Sequence, residues 1–332
     1  MQIALVTFMS RSGSTFFSSL LDEYQSFHVT IETDFFKQLS TVSPDALGSP
    51  ASLADRFEHS HLANNLFQRD RFLALAADLP VLTHQNVASC VLQAYFETEV
   101  TGAVLVKSRG PAWYLSAIAE RMPELKFVHV VRDGRAVLNS QYNTRRVYKR
   151  GNMACEPLMP ARIWRNWTSY VDRFRERFPG RILEIRFEDA VAEPEVTAAR
   201  VQKFLIGDTV LVGKDGTGVE YRDKIPEREL SLHENVGQSP IAGNVDKWKQ
   251  SLPQNDVVLF ELIAGRALAN KGYVPLYVTG SRFGWLVRPR VLWRLATSLL
   301  RFGLRRMENA FYHLYRVASG KPLGSSGQDD SE

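Results

Sequence analysis

Gln2-Ile3-Ala4-Leu5-Val6-Thr7-Phe8-Met9-Ser10-Arg11-Ser12-Gly13-Ser14-Thr15-Phe16-Phe17 is the stretch that decides the fold class. Residues 2–8 form a short, nearly unbroken apolar run, the pattern of a strand. A Ser/Arg/Gly turn follows, and from Thr15 to Leu21 the apolar residues take helical spacing. Strand, tight turn and helix in that order begin a parallel α/β unit. Such a turn aims several backbone N–H groups at one point, and the helix N-terminus adds its positive dipole end, so the place favours an anion. Gly13 permits close backbone approach, Ser14 and Thr15 offer hydroxyls, and Arg11 offers a fixed cation. Without a ligand the same residues read as an ordinary strand–helix turn with a Ser/Thr cap. A Mg-nucleoside-triphosphate loop is disfavoured. It needs Gly, four residues, then Gly-Lys-Ser/Thr, whereas Phe8 stands where the first Gly belongs and Ser14 replaces the Lys.

Further along the chain, short β-branched runs at 2–8, 27–31, 102–107, 126–131 and 181–186 predict strands. Helical spacing predicts helices over 15–21, 112–122, 135–148, 160–178 and 194–205. The alternation predicts an α/β fold, a central mostly parallel sheet flanked by helices. Residues 40–100 break the rhythm, with turn-rich 41–50 and then mostly helical patterning, and read as a helical insertion or lid over the strand ends. The expected organisation is one domain over 1–280 containing that insertion. A basic amphipathic helical extension over 281–319 and a polar disordered tail over 320–332 follow it. Residues 207–220 read as a surface loop.

The 332 residues, 45% hydrophobic and 23% charged, suit a globular protein, and the net charge of +5 favours an anionic partner. Cys90 and Cys155, the only two cysteines, lie in unrelated contexts and give neither a metal-ligand spacing nor a disulfide framework. The opening residues carry no basic leader, and their apolar run is too short to cross a bilayer; a cytoplasmic protein is expected. In 282–316, arginines beside Trp285, Trp293, Leu299 and Leu300 raise peripheral contact with the inner membrane face as an alternative.

A second motif follows the apolar run Phe127-Val128-His129-Val130-Val131. It reads Arg132-Asp133-Gly134-Arg135, with Ser140 eight residues after Arg132. Arg132 ends a strand, where ligands of open α/β sheets bind. Asp133 is placed to cap the next helix, and Ser140 shares an inward face with Ala136 and Val137.

Arg11-Ser12-Gly13-Ser14-Thr15-Phe16 resembles the 5′-phosphosulfate loop of the sulfotransferase family, in its Arg-bearing carbohydrate and bacterial form. The Arg132/Ser140 pair resembles the 3′-phosphate site of the same family. The resemblance implies a P-loop NTPase-like fold and 3′-phosphoadenylyl sulfate as co-substrate, with no metal. Its sulfuryl group would pass by in-line displacement to a hydroxyl or amine of a carbohydrate, lipid-linked or small-molecule acceptor, with no nucleic-acid partner. The rival readings are a P-loop-like small-molecule kinase and a catalytically degenerate membrane-peripheral protein.

Other segments extend the likeness. Val104-Leu105-Val106-Lys107-Ser108-Arg109 resembles the family strand that ends in Lys, which implies that Lys107 neutralises donor phosphates. Arg109 takes the place of a catalytic His and cannot act as a base, because it stays protonated. Thr30-Ile31-Glu32-Thr33-Asp34-Phe35-Phe36 is similar to a glycan-sulfotransferase segment whose Glu is the base, which makes Glu32 the candidate; Asp34, His84 and His28 rank behind it. Arg186-Phe187-Glu188-Asp189 matches an Arg-Tyr-Glu-Asp segment in which Phe187 lacks the hydroxyl. Residues 243–252, with Lys247, then 271–273, resemble the C-terminal landmarks, and Lys247 is implied to close over the 3′-phosphate. The implied catalytic set is Arg11, Glu32 and Lys107. The implied donor-binding set is Arg11, Ser12, Gly13, Ser14, Thr15, Phe16, Arg132, Ser140, Phe187 and Lys247.

Overall fold

The computed structural model describes residues 1–58, 67–96, 100–108, 113–148, 153–214, 221–224, 243–278, 288–301 and 303. Five strands form one sheet: β1 (Gln2–Phe8), β2 (Phe27–Val29), β3 (Ala103–Lys107), β4 (Lys126–Val131) and β5 (Ile182–Arg186). All neighbours pair in parallel, in the order β2-β3-β1-β4-β5. Every residue from Ile3 to Thr7 and from Phe127 to Val130 is essentially inaccessible, so both faces of the central strands are covered. That burial is why their sequences read as continuous apolar runs rather than as alternation.

The helices are α1 (Ser14–Asp22), α2 (Phe35–Leu39), α3 (Pro50–Glu58), α4 (Arg69–Ala77), α5 (His84–Phe96), α6 (Trp113–Arg121), α7 (Gly134–Tyr148) and α8 (Leu158–Arg177). After these come α9 (Phe187–Ala192), α10 (Pro194–Ile206), α11 (Gly243–Asp246), α12 (Trp248–Ser251), α13 (Gln254–Asn270) and α14 over 289–301. The expected strands and helices fall within two residues of these bounds. β2 stops at Val29 rather than residue 31. There the Thr30 hydroxyl turns back to the Lys107 N–H, at 3.2 Å, and the backbone meets β3 again only at Thr33, whose N–H donates to the Lys107 carbonyl at 2.9 Å.

The chain divides into two compact units, the first being Met1–Arg132 with Ser169–Ala242. Its chain order places β1 between strands reached in opposite directions. The connection through α1 leads outward to β2, and the connection through α6 crosses from β3 to β4 on the other side of β1. The turn after β1 therefore lies at the topological switch point, where open α/β sheets bind ligands. Arg181, just before β5, donates to the carbonyls of Ala119, Met122 and Leu125 at 2.6–3.0 Å, tying that strand to the turn between α6 and β4. Lys126 donates to the carbonyls of Phe204 and Leu205, which cap the C-terminal end of α10. Among the described residues of 40–100, α3, α4 and α5 lie near a phenylalanine cluster in which Phe57 meets Phe35 and Phe72. Within the same stretch, His84 Nε2 donates to the Val42 carbonyl at 2.9 Å.

The second unit comprises Asp133–Thr168 and Gly243–Glu332. Asp133 caps α7 as expected, its Oδ1 accepting the Arg135 N–H at 2.9 Å. The Arg135 guanidinium, stacked on Trp248 at 4.2 Å, bonds Asp133 and also Glu261, which is fully buried on α13. Glu261 further accepts the N–H groups of Leu276, Tyr277 and Val278 at 2.8–3.0 Å, so one carboxylate fixes the turn that follows α13. A Cβ at Gly134 would overlap the rings of Phe260 and Trp164. On α14, Val291 and Leu295 pack on Val258 and Leu259, and Arg294 grips Asp256, which also accepts from the Tyr142 hydroxyl. Residues 281–287, 302 and 304–332 of the expected extension and tail lie outside the described residues.

Candidate functional site

Because all five strands run parallel, their carboxyl ends share one edge of the sheet. Arg11 follows β1, Glu32 follows β2, Lys107 ends β3, Arg132 follows β4 and Phe187 follows β5. Five residues distant in sequence are thus delivered to one edge by topology.

The turn after β1 is built by its backbone. Arg11 has φ 72°, the one positive value at a non-glycine residue among the described residues, and Gly13 has φ 84°. The Ser12 N–H donates to the Met9 carbonyl at 3.0 Å, closing the turn. A side chain held in the left-handed region costs about 1–3 kcal/mol, and such strain gathers where the backbone must face a ligand. Gly13 is the N-cap of α1 and brings no side-chain cap, so the first-turn N–H groups, which have no partner within the helix, face out of its end. With no acidic residue in that first turn, the dipole end retains its positive character. Ser12, Ser14 and Thr15 are buried, whereas Arg11 and Phe16 are half-buried.

Lys107 joins this turn to the next strand end. Its ammonium, on a residue only 4% exposed, donates to Thr15 Oγ1 at 2.8 Å and lies 3.7 Å from Glu32 Oε2. A buried ammonium is costly unless paired, so the carboxylate and the hydroxyl together hold the cation here. Glu32 is 30% exposed at its side chain and so reaches from this buried cation towards solvent. Its place is fixed by the Thr30 and Thr33 bonds to β3 on either side.

Arg132 reaches the same turn from β4. Its Nη1 donates to the Arg11 carbonyl at 3.4 Å, and its guanidinium lies 4.4 Å from the centre of the Phe187 ring. Phe187 meets Phe16 edge-to-face at 5.8 Å, and its ring occupies the space where a Cβ on Gly13 would stand. The Phe187 ring is therefore directed at the turn itself.

The other titratable candidates serve the fold. His129 is buried, with Nδ1 3.1 Å from both the hydroxyl and the carbonyl of Thr7, in keeping with a core histidine. His84 is bonded to Val42, and burial lowers its pKa; His28 packs edge-on against Phe96 and is lowered the same way. Asp34, at the start of α2, accepts from Gln38. Burial pushes the phenols of Tyr114, bonded to Ser108, and Tyr221 well above their ordinary range, so neither is a base near neutrality. Thr30, Tyr221 and the Glu261 carboxylate were not signalled by the sequence, since each acts through a partner far along the chain. Ser140, half-buried on α7, and Lys247, exposed between α11 and α12, belong to the second unit. Arg109 lies outside the described residues. Among the described residues no group of His, Cys, Asp and Glu is arranged to hold a metal ion.

Residues 4–207 match the model of a sulfotransferase family. The chain is 29% identical over 126 residues to the omega-hydroxy-beta-dihydromenaquinone-9 sulfotransferases Stf3 of Mycobacterium bovis and Mycobacterium tuberculosis, covering 36% of this chain and 32% of theirs. It thus spans about a third of the length of the curated relatives it matches. Among solved structures, the sulfotransferase domain of the Synechococcus PCC 7002 olefin synthase aligns at 18% identity and TM-score 0.48, covering 79% of this chain and 94% of that one. The sulfotransferase domain of the curacin biosynthetic pathway aligns at 20% identity and TM-score 0.48, covering 82% and 98%.

Proposed function

Because the chain belongs to the sulfotransferase family, we propose that it transfers the sulfuryl group of 3′-phosphoadenylyl sulfate to an acceptor hydroxyl. The observation that carries this is the juncture at Lys107: one ammonium bonds the anion-binding turn through Thr15 and pairs with Glu32 on the neighbouring strand end. An anion cradle and a carboxylate base held on one cation suit transfer of an anionic group to a hydroxyl.

The donor supplies an activated sulfuryl group on a phosphate leaving group. The residues fit its 5′ end. The turn offers N–H groups at the α1 terminus, the hydroxyls of Ser12, Ser14 and Thr15, and the cations of Arg11 and Lys107. These stabilise the negative charge that gathers on the leaving phosphate oxygen as its bond to sulfur breaks. Glu32 accepts the proton of the acceptor hydroxyl as the new oxygen–sulfur bond forms, a role worth about 10²–10⁴-fold in rate. Arg132 binds the 3′-phosphate, and Phe16 and Phe187 pack beside the nucleotide. The insertion over 40–100 forms the acceptor side. The name of the mycobacterial relatives specifies a hydroxylated menaquinone, which supports a lipid-linked hydroxyl over a carbohydrate or a small metabolite.

Turnover measured with ³⁵S-labelled donor and a hydroxylated polyprenyl quinone, alongside calorimetry with adenosine 3′,5′-bisphosphate, tests the assignment. Glu32→Gln is expected to bind the bisphosphate normally and to lose about 10²-fold or more in rate. Arg11→Ala is expected to lose turnover. An unchanged rate in Glu32→Gln overturns its role as base, and tighter binding of Mg-ATP than of the bisphosphate overturns the reaction class.

A further inference from the structure

Residues 288–301 read Arg-Pro-Arg-Val-Leu-Trp-Arg-Leu-Ala-Thr-Ser-Leu-Leu-Arg, with four arginines and no acidic residue. One side of α14 is docked: Val291 and Leu295 pack on α13, and Arg294 is engaged by Asp256. A surface helix held this way turns a polar face to water. This one does the opposite. At 100° per residue Leu292, Trp293, Ala296, Leu299 and Leu300 fall within an arc of about 120° away from the docked side. Leu292 is 47% exposed, Trp293 73%, Leu299 54% and Leu300 64%.

We propose that this face seats on an anionic lipid surface, with the helix lying in the plane of the headgroups. Arg290 and Arg301 are exposed on the same helix, and the stretch 288–301 carries no acidic residue, so its charge complements anionic headgroups. Exposed leucines with a tryptophan beside basic residues are the composition of an interfacial helix, in which the indole sits at the headgroup level. A second copy of the chain is the weaker occupant, because an isologous contact through this face would bring two sets of arginines together. No helix among the described residues is long and apolar enough to cross a membrane, so the contact lies on the bilayer rather than through it. The inference is independent of the sulfuryl-transfer reading.

The test is co-sedimentation of the 332-residue chain with phosphatidylcholine vesicles and with phosphatidylcholine–phosphatidylglycerol vesicles, with tryptophan emission read in parallel. The chain is expected to sediment with the anionic vesicles only, less so at raised salt, and its emission to shift to the blue. Trp293→Glu/Leu300→Glu should weaken the partition at least tenfold, Arg290→Ala about fivefold, and Trp293→Phe should keep binding while losing most of the shift. Trp293→Ser serves as a milder reading should the double variant not fold. Equal partition of the parent, the glutamate pair and Arg290→Ala, or no preference for anionic vesicles, overturns the proposal. So does a dimer in sedimentation equilibrium that the glutamate pair dissolves, which would assign the face to a second copy.

Discussion

Replacing Gly13 by Ala adds a single methyl group, and the structure specifies two separate costs. The backbone there has φ 84° and ψ 19°, which for a residue bearing a Cβ costs about 1–2 kcal/mol. The methyl would also overlap Cδ2 and Cε2 of Phe187, whose ring is held between Phe16 and the Arg132 guanidinium. Forcing such a ring aside is overpacking, at about 1–3 kcal/mol. The sum, about 2–5 kcal/mol, is a large part of the ~5–15 kcal/mol typical of a native domain. Urea unfolding of the parent, Gly13→Ala, Phe187→Ala and the double variant separates the two costs. Truncating the ring removes the overlap and leaves the dihedral cost, so the double variant should be more stable than the summed singles predict, by about 1–3 kcal/mol. Additivity within ~0.5 kcal/mol would refute the contact, and a Gly13→Ala variant as stable as the parent would refute both costs.

Arg132→Ala should weaken calorimetric binding of adenosine 3′,5′-bisphosphate by about 10–150-fold, the worth of a charged hydrogen bond, and leave adenylyl sulfate binding nearly unchanged; equal losses for both ligands would remove Arg132 from the 3′-phosphate. Glu261→Ala should cost about 3–5 kcal/mol in urea unfolding, because it leaves Arg135 buried with a lost partner and three N–H groups without their acceptor; a loss below 1 kcal/mol would contradict the network. His84 is lowered by burial, so its neutral form is the folded form and the unfolded chain binds more protons as the pH drops below about 6.5. Stability contributed by this group is therefore full above that pH and is lost below it. His84→Gln should reduce the slope of stability against pH between about 6.5 and 5, and an identical slope would exclude His84 as its source.

The parts of this fold legible in the sequence are those encoded over a few adjacent residues. β1 and β4 declare themselves because a parallel strand covered on both faces must be apolar at every position, and Ile3 to Thr7 and Phe127 to Val130 nearly are. The turn at Arg11–Gly13 is legible for a related reason: strained backbone needs glycine, and an anion needs donors, within one short span. β2 is less legible, being three residues long at the sheet edge, and the side-chain bond from Thr30 that ends it has its partner 77 positions away. Glu261 is harder still. A glutamate in the middle of α13 has the local pattern of any solvated helix residue, and only its partners, Arg135 and the turn at 276–278, reveal it as fully buried.

Phe187 shows what lies between these limits. Its sequence context identifies a strand end and a missing hydroxyl, yet nothing local indicates that its ring rests on Gly13, 174 positions earlier. That contact follows from strand order, because β5 beside β4 and β4 beside β1 bring the ends of three distant strands together. Lys107 obeys the same logic on the other side of β1, where β3 sets its ammonium against Thr15 and β2 sets Glu32 against the ammonium. The residues at these strand ends therefore depend on one another through the sheet. A shift of one residue in the pairing of β3 with β1 would carry Lys107 about 3.3 Å along the strand and turn its side chain to the other face, away from Thr15. The continuous burial of Val104, Leu105 and Val106, each essentially inaccessible, is what holds that pairing. Packing of the sheet interior thus sets the geometry of a site built at its strand ends.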